Sequence, residues 1–368
     1  MLALCVLAQP AAALGNADTN SSVNNEIAGT VEDFITGENN YTYFGLASYY
    51  NNTTYYVVDD TSVSKLENEQ TLTLGPDEWF VVVSRLNALV VKAPGLLVQL
   101  VDADLNIDDQ DVLTSPSVYT VAKPELSSIA KELDQVRYAQ LWKPLAWLAR
   151  LIESALVFIH ESIISSWGLS IVVLAILIKI VLLPVGVFTA RIQRDVSQVQ
   201  AKLAPKLEAI KASYDGEEAH NLMMAAHKEL GVSPLYTLKP MLGTFIQVPI
   251  WIAVFNALGE MPQLDGQSFL WIENLAFPDA VGQLAFAVPM FGDKISLLPL
   301  IMTIVTIGST VLFKNRHATE SEMRRQRRNL YLMAVAFFVL FYPFPAAMVL
   351  YWTLANILYA FQQQLIKI

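Results

Sequence analysis

The sequence has little of the side-chain chemistry that catalysis and metal binding require. It holds one cysteine, Cys5, and four histidines in 368 residues. One cysteine excludes an internal disulfide and a cysteine-based metal site. His220 and His227 share a helical face, but no third ligand accompanies them. No nucleophile elbow, HExxH pair, phosphate loop or carboxylate pair lies in or near the apolar stretches. We therefore expect no enzyme activity, no cofactor and no metal.

Charged residues are also scarce, and they are unevenly placed. Only 16% of the residues are charged, whereas 54% are hydrophobic. Residues 16–140 hold nineteen Asp or Glu and six Lys or Arg, whereas the chain after Leu141 is slightly basic. The dense basic cluster at 323–328 lies between two apolar stretches, which favours a loop over a nucleic-acid-binding face. We expect no direct nucleic-acid partner.

The first third of the chain has the pattern of an exported β domain. Residues 1–15 combine a short apolar run with an AAA triplet, which fits either a cleaved signal or the remnant of an anchoring helix. From about Tyr41 to Ala122, β-branched and aromatic runs alternate with turn residues, which predicts a small antiparallel sandwich within an acidic domain at 16–128. The acidic segment 102–111 lacks the Gly and closing Glu of a calcium loop and is interpreted as a solvated loop.

Residues 129–166 are predicted to form a linker and an amphipathic helix that lies in the headgroup plane of a membrane. On a helical projection of 143–162, the polar residues gather on one face and the apolar residues cover the rest. The polar set is Lys143, Arg150, Glu153, Ser154 and Glu161, and the apolar set is Trp147, Leu148, Leu151, Ile152, Leu156 and Ile159.

The last part of the chain, 167–368, has the pattern of an α-helical integral membrane protein. Five apolar runs are predicted to span the membrane; the first is long enough to cross a hydrocarbon core of roughly 30 Å, whereas the fourth is short. The predicted spans are Gly168–Ala190, Pro240–Leu258, Ile295–Phe313, Leu330–Tyr342 and Ala346–Ile366. Basic residues accumulate in 191–239 and 314–328, and none occurs in 261–293. The positive-inside rule then predicts a cytoplasmic location for the two basic segments and the C-terminus, with the β domain outside.

Between the first two spans, residues 191–238 are predicted to form a cytoplasmic helical hairpin. Their charges alternate in sign at helical spacing, and Asp215-Gly216 separates two arms. The candidate contact residues on this hairpin are its basic side chains, namely Arg191, Arg194, Lys202, Lys206 and Lys228.

Lys179 lies in the middle of the first span, eleven residues after Gly168 and twelve before Arg191. A charge at that depth costs at least about 2.5 kcal/mol, so it must face something other than lipid. At 1.5 Å per residue, either boundary is about 16–18 Å away, beyond the reach of the side chain. The other four spans hold no Asp or Glu, so no intramembrane ion pair is available.

Neutral polar residues of the other spans lie between the cytoplasmic surface and the level of Lys179. Their depths are about 7–17 Å, counted from the nearest cytoplasmic basic residue. A lone Gln, Ser or Thr in a span usually bonds a neighbouring helix. Their common depth predicts instead a hydrophilic groove open to the cytoplasm and sealed outside. Its residues are Lys179, Gln247, Thr303, Thr306, Ser309 and Asn356.

Five ordered motifs resemble the YidC/Oxa/Alb family of membrane protein insertases. They are WGLSIVVLAILIKIVLLPV, HKELGVSPL, IQVPIWIAVF, FLWIENL and FPAAMVLYWTLANILYAFQQQ, and they cover the chain from about Ala130 onward. The resemblance implies a five-helix core, a cytoplasmic hairpin and a hydrophilic groove in a bacterial inner membrane protein. Where the family usually carries an intramembrane arginine, this chain has Lys179, which keeps the charge and loses the planar guanidinium.

The resemblance also implies the function and its partners. The chain is expected to take hydrophobic segments of nascent proteins into the bilayer without nucleotide hydrolysis, with the Sec translocon and the ribosome as further candidate partners. Tyr351, Trp352 and Met348 match positions where a substrate helix slides. The alternatives are an assembly scaffold for membrane complexes and a solute transporter, although a proton-coupled transporter normally has intramembrane carboxylates or histidines that these spans lack.

Overall fold

A computed structural model describes residues 20–38, 53–101, 104–109, 116–239, 241–288, 291–312 and 320–365. The predicted signal or anchor at 1–15 lies outside the described residues. The chain divides into two compact units. Unit 1 runs up to Leu151 and includes Asn256–Asp265 and Leu284–Lys294, and unit 2 holds Ile152–Phe255, Gly266–Gln283 and the chain from Ile295 onward.

Ten strands and nine α-helices lie within the described residues. The strands are β1 Thr54–Val58, β2 Val63–Lys65, β3 Thr71–Thr73, β4 Trp79–Val83, β5 Asn87–Lys92, β6 Leu96–Val101, β7 Asp104–Asp109, β8 Ser117–Ala122, β9 Gly282–Val288 and β10 Gly292–Ile295. The helices are α1 Asn20–Glu38, α2 Leu126–Ile129, α3 Lys143–Ser162, α4 Trp167–Ser213, α5 Gly216–Glu229, α6 Met241–Glu260, α7 Leu298–Leu312, α8 Glu320–Phe341 and α9 Ala346–Leu365.

Unit 1 is built on two antiparallel sheets that share one core. The strand order is β2-β1-β4-β5-β8 in the larger sheet and β3-β6-β7 in the smaller. Their facing side chains form a single apolar cluster, with Phe80 and Leu89 from the first sheet and Leu96 and Val98 from the second. The mostly helical chain with a β-rich N-terminal region, expected from the sequence, is confirmed.

The larger sheet is buried on both faces. Alternate residues of a strand point to opposite faces, so Phe80 enters the core between the sheets while Val81 faces away from it. On that second face, Leu126, Leu133 and Val136 pack against the sheet. Residues Lys131–Val136, predicted as part of a linker, instead form a 3₁₀ helix that completes the β domain.

Two further features of unit 1 differ from the sequence prediction. Helix α1 was not predicted, and it places Ile27 and Val31 in the core between the sheets. The acidic segment that begins at Asp102 was predicted as a loop, but its residues Asp104–Asp109 form β7, paired antiparallel with β6. Leu105 and Ile107 alternate with its polar residues and pack on the core, which explains why a strand forms there.

Helix α3 lies where the amphipathic helix was predicted, but its faces differ from the prediction. Glu153 is only 5% exposed, and Arg150 donates hydrogen bonds to Asp134 and to the carbonyl of Arg137. Of these two residues of the predicted polar face, Glu153 is therefore buried, whereas Arg150 is partly exposed and forms an ion pair. The exposed residues of the helix include Lys143, Ser154 and Glu161 of the predicted polar face, and also the large apolar side chains of Trp147 and Phe158.

Unit 2 is helical. Helix α4 continues for 47 residues, roughly 70 Å at 1.5 Å per residue, through Pro184 and Pro205. Among the described residues, α4 is the one helix long and apolar enough to cross a membrane by length and composition. Shorter apolar helical segments run over Phe245–Glu260, Leu298–Gly308 and Ala346–Gln362.

Helix α8 begins earlier than the sequence predicted. The basic cluster at 323–328 was expected to be a loop, but it forms the first turns of α8. Met, Arg and Gln are good helix formers, so the helix extends out of the apolar run into the polar segment. The predicted span of thirteen residues at 330–342 therefore corresponds to a helix of 22 residues.

Candidate functional site

Lys179 lies in the apolar half of α4, and its partner is an aromatic ring. The Nζ atom lies 5.0 Å from the centroid of the Tyr359 ring on α9. The lysine is half-buried, and the tyrosine is 48% exposed. Sequence reasoning listed neutral polar groups as the candidate receivers and did not include Tyr359, because a tyrosine in an apolar helix ordinarily needs no explanation.

Glycines let α4 approach its neighbours closely. A Cβ atom at Gly186 would overlap the side-chain amide of Gln362 on α9, and one at Gly243 on α6 would overlap the hydroxyl of Thr189. Thr189 of α4 and Gln362 of α9 therefore lie at close helix contacts on the C-terminal side of Lys179. These two polar residues were not predicted as groove residues.

The predicted groove residues fall into separate contacts. Asn356 donates a hydrogen bond of 3.3 Å to the hydroxyl of Thr306, which joins α9 to α7. The hydroxyls of Thr303 and Thr306 donate to the carbonyls of Pro299 and Met302 on their own helix. Gln247 is half-buried on α6. Ser309 belongs to α7, but its side chain lies outside the described residues.

The three predicted substrate contacts on α9 are buried. Tyr351, Trp352 and Met348 all lie within the packed interior. Trp352 is 8% exposed and lies in an aromatic cluster with the rings of four residues on α6 and α8. These are Trp251, Phe255, Phe337 and Phe341, at centroid distances of 5.0, 5.5, 5.6 and 5.3 Å. Contact with a substrate helix stays a prediction, and it requires this cluster to open.

The loop after α6 fixes the starts of two helices. Phe269 lies against Gly168 at the start of α4, where a Cβ atom would overlap its ring. Asp279 is buried, accepts hydrogen bonds from the backbone N–H groups of Leu297 and Leu298, and accepts another from the indole of Trp271. A carboxylate at a helix N-terminus satisfies donors that have no partner within the helix. Asp279 was not predicted, because it is far in sequence from the helix it caps.

The two arms of the hairpin pack through a small apolar core. Val196 and Leu203 of α4 contact Ala226 of α5, and Tyr236 closes the cluster. The basic residues Arg191, Arg194, Lys202, Lys206 and Lys228 are all exposed. Of these, Lys206 pairs with Glu229 at 2.8 Å. The described residues contain no group of three His, Cys, Asp or Glu that could hold a metal ion.

Unit 1 contains a second buried lysine with a very different partner. Lys123 Nζ lies 2.9 Å from Oε2 of Glu260, and the two side chains are 9% and 11% exposed. Gln140 donates a hydrogen bond to the other oxygen of Glu260. Burial, and secondarily the Glu260 carboxylate, raises the pKa of Tyr56 to about 12. The pair joins residues 137 positions apart, so sequence spacing gave no signal for it.

A comparison with models of protein families shows which family the chain belongs to. The family described as "60Kd inner membrane protein" matches residues 158–368, more than half of the chain. The chain belongs to this family. The resemblance to the YidC/Oxa/Alb insertases, based on five sequence motifs, is thereby confirmed.

Individual relatives match over the same part of the chain. A protein of Amoebophilus asiaticus named membrane protein insertase YidC is 30% identical over 61% of this chain and 37% of its own length. One of the same name from Chlamydia muridarum is 31% identical over 57% of this chain and 27% of its own length. The matched region therefore spans about a third of each relative.

A crystal structure of an active YidC insertase with its first transmembrane domain resolved was also found. It has a TM-score of 0.41 and 14% identity, and the likeness covers 85% of this chain and 83% of that one.

Proposed function

We propose that this protein is a membrane protein insertase that moves hydrophobic segments of nascent proteins into the bilayer without hydrolysing a nucleotide. The observation that carries the proposal is Lys179, a cation in the middle of the apolar half of α4 whose partner is an uncharged ring. A lysine so placed, with neutral polar groups on the neighbouring helices, can receive the polar flank of a segment that is entering the membrane. Relatives named as insertases support the same function.

The proposed arrangement has five membrane-spanning helices, α4, α6, α7, α8 and α9. The hairpin of α4 and α5 and the C-terminus lie in the cytoplasm, and the β domain lies outside the inner membrane. The distribution of basic residues supports this orientation. The exposed tryptophan and phenylalanine on α3 support a position in the interfacial plane.

In the proposed mechanism, a nascent segment first meets the exposed basic residues of the hairpin. Its short polar flank then enters the groove beside Lys179, near Gln247, Thr303, Thr306, Ser309 and Asn356. This shortens the hydrocarbon thickness that the flank must cross. Burial of the apolar segment in lipid, worth roughly 25 cal/mol per Å², drives its release outward. The Sec translocon and the ribosome remain candidate partners in this proposal.

Reconstitution tests the function directly. The purified chain is placed in liposomes, a small phage-coat-like substrate is added, and protease protection reports how much of it crosses the bilayer. An insertase protects the substrate well above the level in empty liposomes. A scaffold binds the substrate without protecting it, and a transporter takes up solute without inserting protein. Either of those outcomes would contradict the proposed insertase function.

A Lys179→Ala variant tests the role of the groove in the same liposomes. We expect it to impair insertion of substrates with charged flanks more than insertion of purely apolar ones. The matched control is Lys65→Ala, which removes an exposed lysine from strand β2 of the β domain. Equal insertion of both substrate classes by the Lys179 variant would refute the role given to this side chain.

A further inference from the structure

The partner of Lys179 is suited to stabilise a cation. A ring face attracts an ammonium within about 6 Å of its centroid, and the attraction strengthens where water is excluded. Nζ of Lys179 lies within that distance of Tyr359. About half of the Tyr359 side chain is exposed, so the ring lies at the surface of unit 2.

The packing of α4 on α9 explains how the two side chains meet. Gly186 lies against Gln362, and Lys179 lies against Tyr359, so residue numbers increase together and the helices run in the same direction. Lys179 precedes Gly186 by about 10 Å along α4, whereas Tyr359 precedes Gln362 by about 4.5 Å along α9. The two long side chains span this difference, since Nζ of Lys179 lies 5.0 Å from the centroid of the Tyr359 ring.

An aromatic partner has a consequence that a carboxylate would not have. A carboxylate neutralises an ammonium, whereas a ring attracts it through a quadrupole and carries no net charge. The ammonium has three N–H donors, and a ring face occupies only one side of it. The full positive charge therefore stays available on the side turned away from the ring.

We propose that Tyr359 is a positioning residue, whose ring holds the ammonium of Lys179 without neutralising it and so maintains the preference of that cation for hydrophobic segments with a carboxylate in their flank. The inference rests on the proposed insertase function and adds a positioning residue to its site. The ring, and not its hydroxyl, carries the effect. An anionic side chain at position 359 would neutralise Lys179 and abolish the preference for carboxylate flanks.

The test uses proteoliposomes and two substrates that differ only by Asp→Asn in the flank. The measured quantity is the ratio of protease-protected Asp substrate to protected Asn substrate. We expect Tyr359→Phe to keep the wild-type ratio. Tyr359→Leu is expected to lower it about 3- to 30-fold, the range between an exposed and a desolvated cation–ring contact. Tyr359→Glu is expected to bring the ratio close to one. Tyr331→Leu removes an exposed tyrosine from α8 and is expected to change nothing.

Two outcomes overturn the inference. If the Tyr359→Leu variant keeps the wild-type ratio, the ring is not used. If the ratio falls as far in the Tyr359→Phe variant as in the Tyr359→Leu variant, the hydroxyl acts instead of the ring. Binding of the two flank peptides to the purified chain in nanodiscs gives a readout that does not depend on insertion. If the wild type inserts neither substrate, the insertase function fails. The peptide preference then decides about Tyr359 alone: its loss in the Leu variant supports the inference, and its retention contradicts it.

Discussion

Two lysines, one in each unit, show how the partner of a cation decides what the cation does. Lys123 is buried beside the carboxylate of Glu260, which neutralises it and holds it in place. Lys179 is half-buried beside the ring of Tyr359, which attracts it and leaves its charge intact. The first cation can only stabilise the fold. The second keeps its charge available for a further anion, as the proposed insertion site requires.

The largest change in stability is expected when the Lys123–Glu260 ion pair is broken. In a Glu260→Ala variant, Lys123 is left buried without its counter-ion, and we expect unit 1 to lose about 3–5 kcal/mol of stability. Hydrogen exchange of β4 and β5, the central strands of the larger sheet, measures that loss. The double variant Lys123→Met/Glu260→Met removes both charges and should lie close to the wild type. A single variant that exchanges as slowly as the wild type would mean that the pair contributes nothing.

The corresponding change at Lys179 is expected to have the opposite sign. A Lys179→Met variant removes a cation from the middle of an apolar helix, where the charge costs at least about 2.5 kcal/mol. We therefore expect this variant to resist unfolding in mild detergent at least as well as the wild type, while it loses its preference for charged substrates. Lys179→Arg keeps the charge and serves as the control. Destabilisation as large as that of Glu260→Ala would place Lys179 among the structural residues.

The start of α4 is packed much more tightly than the surroundings of Lys179. A Gly168→Ala variant would press a methyl group into the Phe269 ring, and we expect a loss of about 1–3 kcal/mol from overpacking. Gly308→Ala on α7 is the matched control, because a Cβ atom there meets nothing within 4 Å. Thermal unfolding of both variants in detergent measures the difference. Equal melting temperatures would contradict the close contact at Gly168.

A small effect of pH is expected in the β domain. Hydrogen bonds from the backbone and hydroxyl of Thr61 and from Ser62 lower the pKa of Asp59 from 3.8 to about 2. Because the folded pKa is depressed, the stabilisation is complete above about pH 4 and disappears as the pH falls toward 2. Asp59→Asn should flatten this part of the stability profile of unit 1, measured by unfolding between pH 5 and pH 2. If the Asp59→Asn variant lost stability between pH 5 and pH 2 as the wild type does, Asp59 would not contribute to the pH dependence.

Much of the fold follows from local patterns in the sequence. The strands of unit 1 were predicted from runs such as WFVVV, because a strand buried on both faces is apolar throughout. The break between the hairpin arms at Asp215-Gly216 was predicted from the glycine. In the structure Gly216 adopts a positive φ of 62°, a conformation that glycine tolerates. Helix α1 was missed, although Ile27, Val31 and Phe34 recur at helical spacing, because its segment is short of apolar residues overall.

The candidate site was only partly predictable. Lys179 could be found because a charge in an apolar run conflicts with its surroundings. Tyr359, Gln362 and Thr189 have ordinary explanations in a helix, and only the packing of α4 shows that they lie near the cation or its helix face. Lys123 and Glu260 each look like surface residues in sequence. Their pairing depends on the tertiary fold.

The most direct measurement asks which lysine a substrate carboxylate touches. A zero-length carbodiimide links a carboxylate to an amine in contact with it, and mass spectrometry of the digested product then identifies the lysine. With an Asp-flanked substrate caught during insertion into proteoliposomes, we expect the link at Lys179, and with the Asn-flanked substrate we expect none there. Links confined to hairpin lysines such as Lys202, with Lys179 unmodified throughout, would contradict the role of the uncompensated cation.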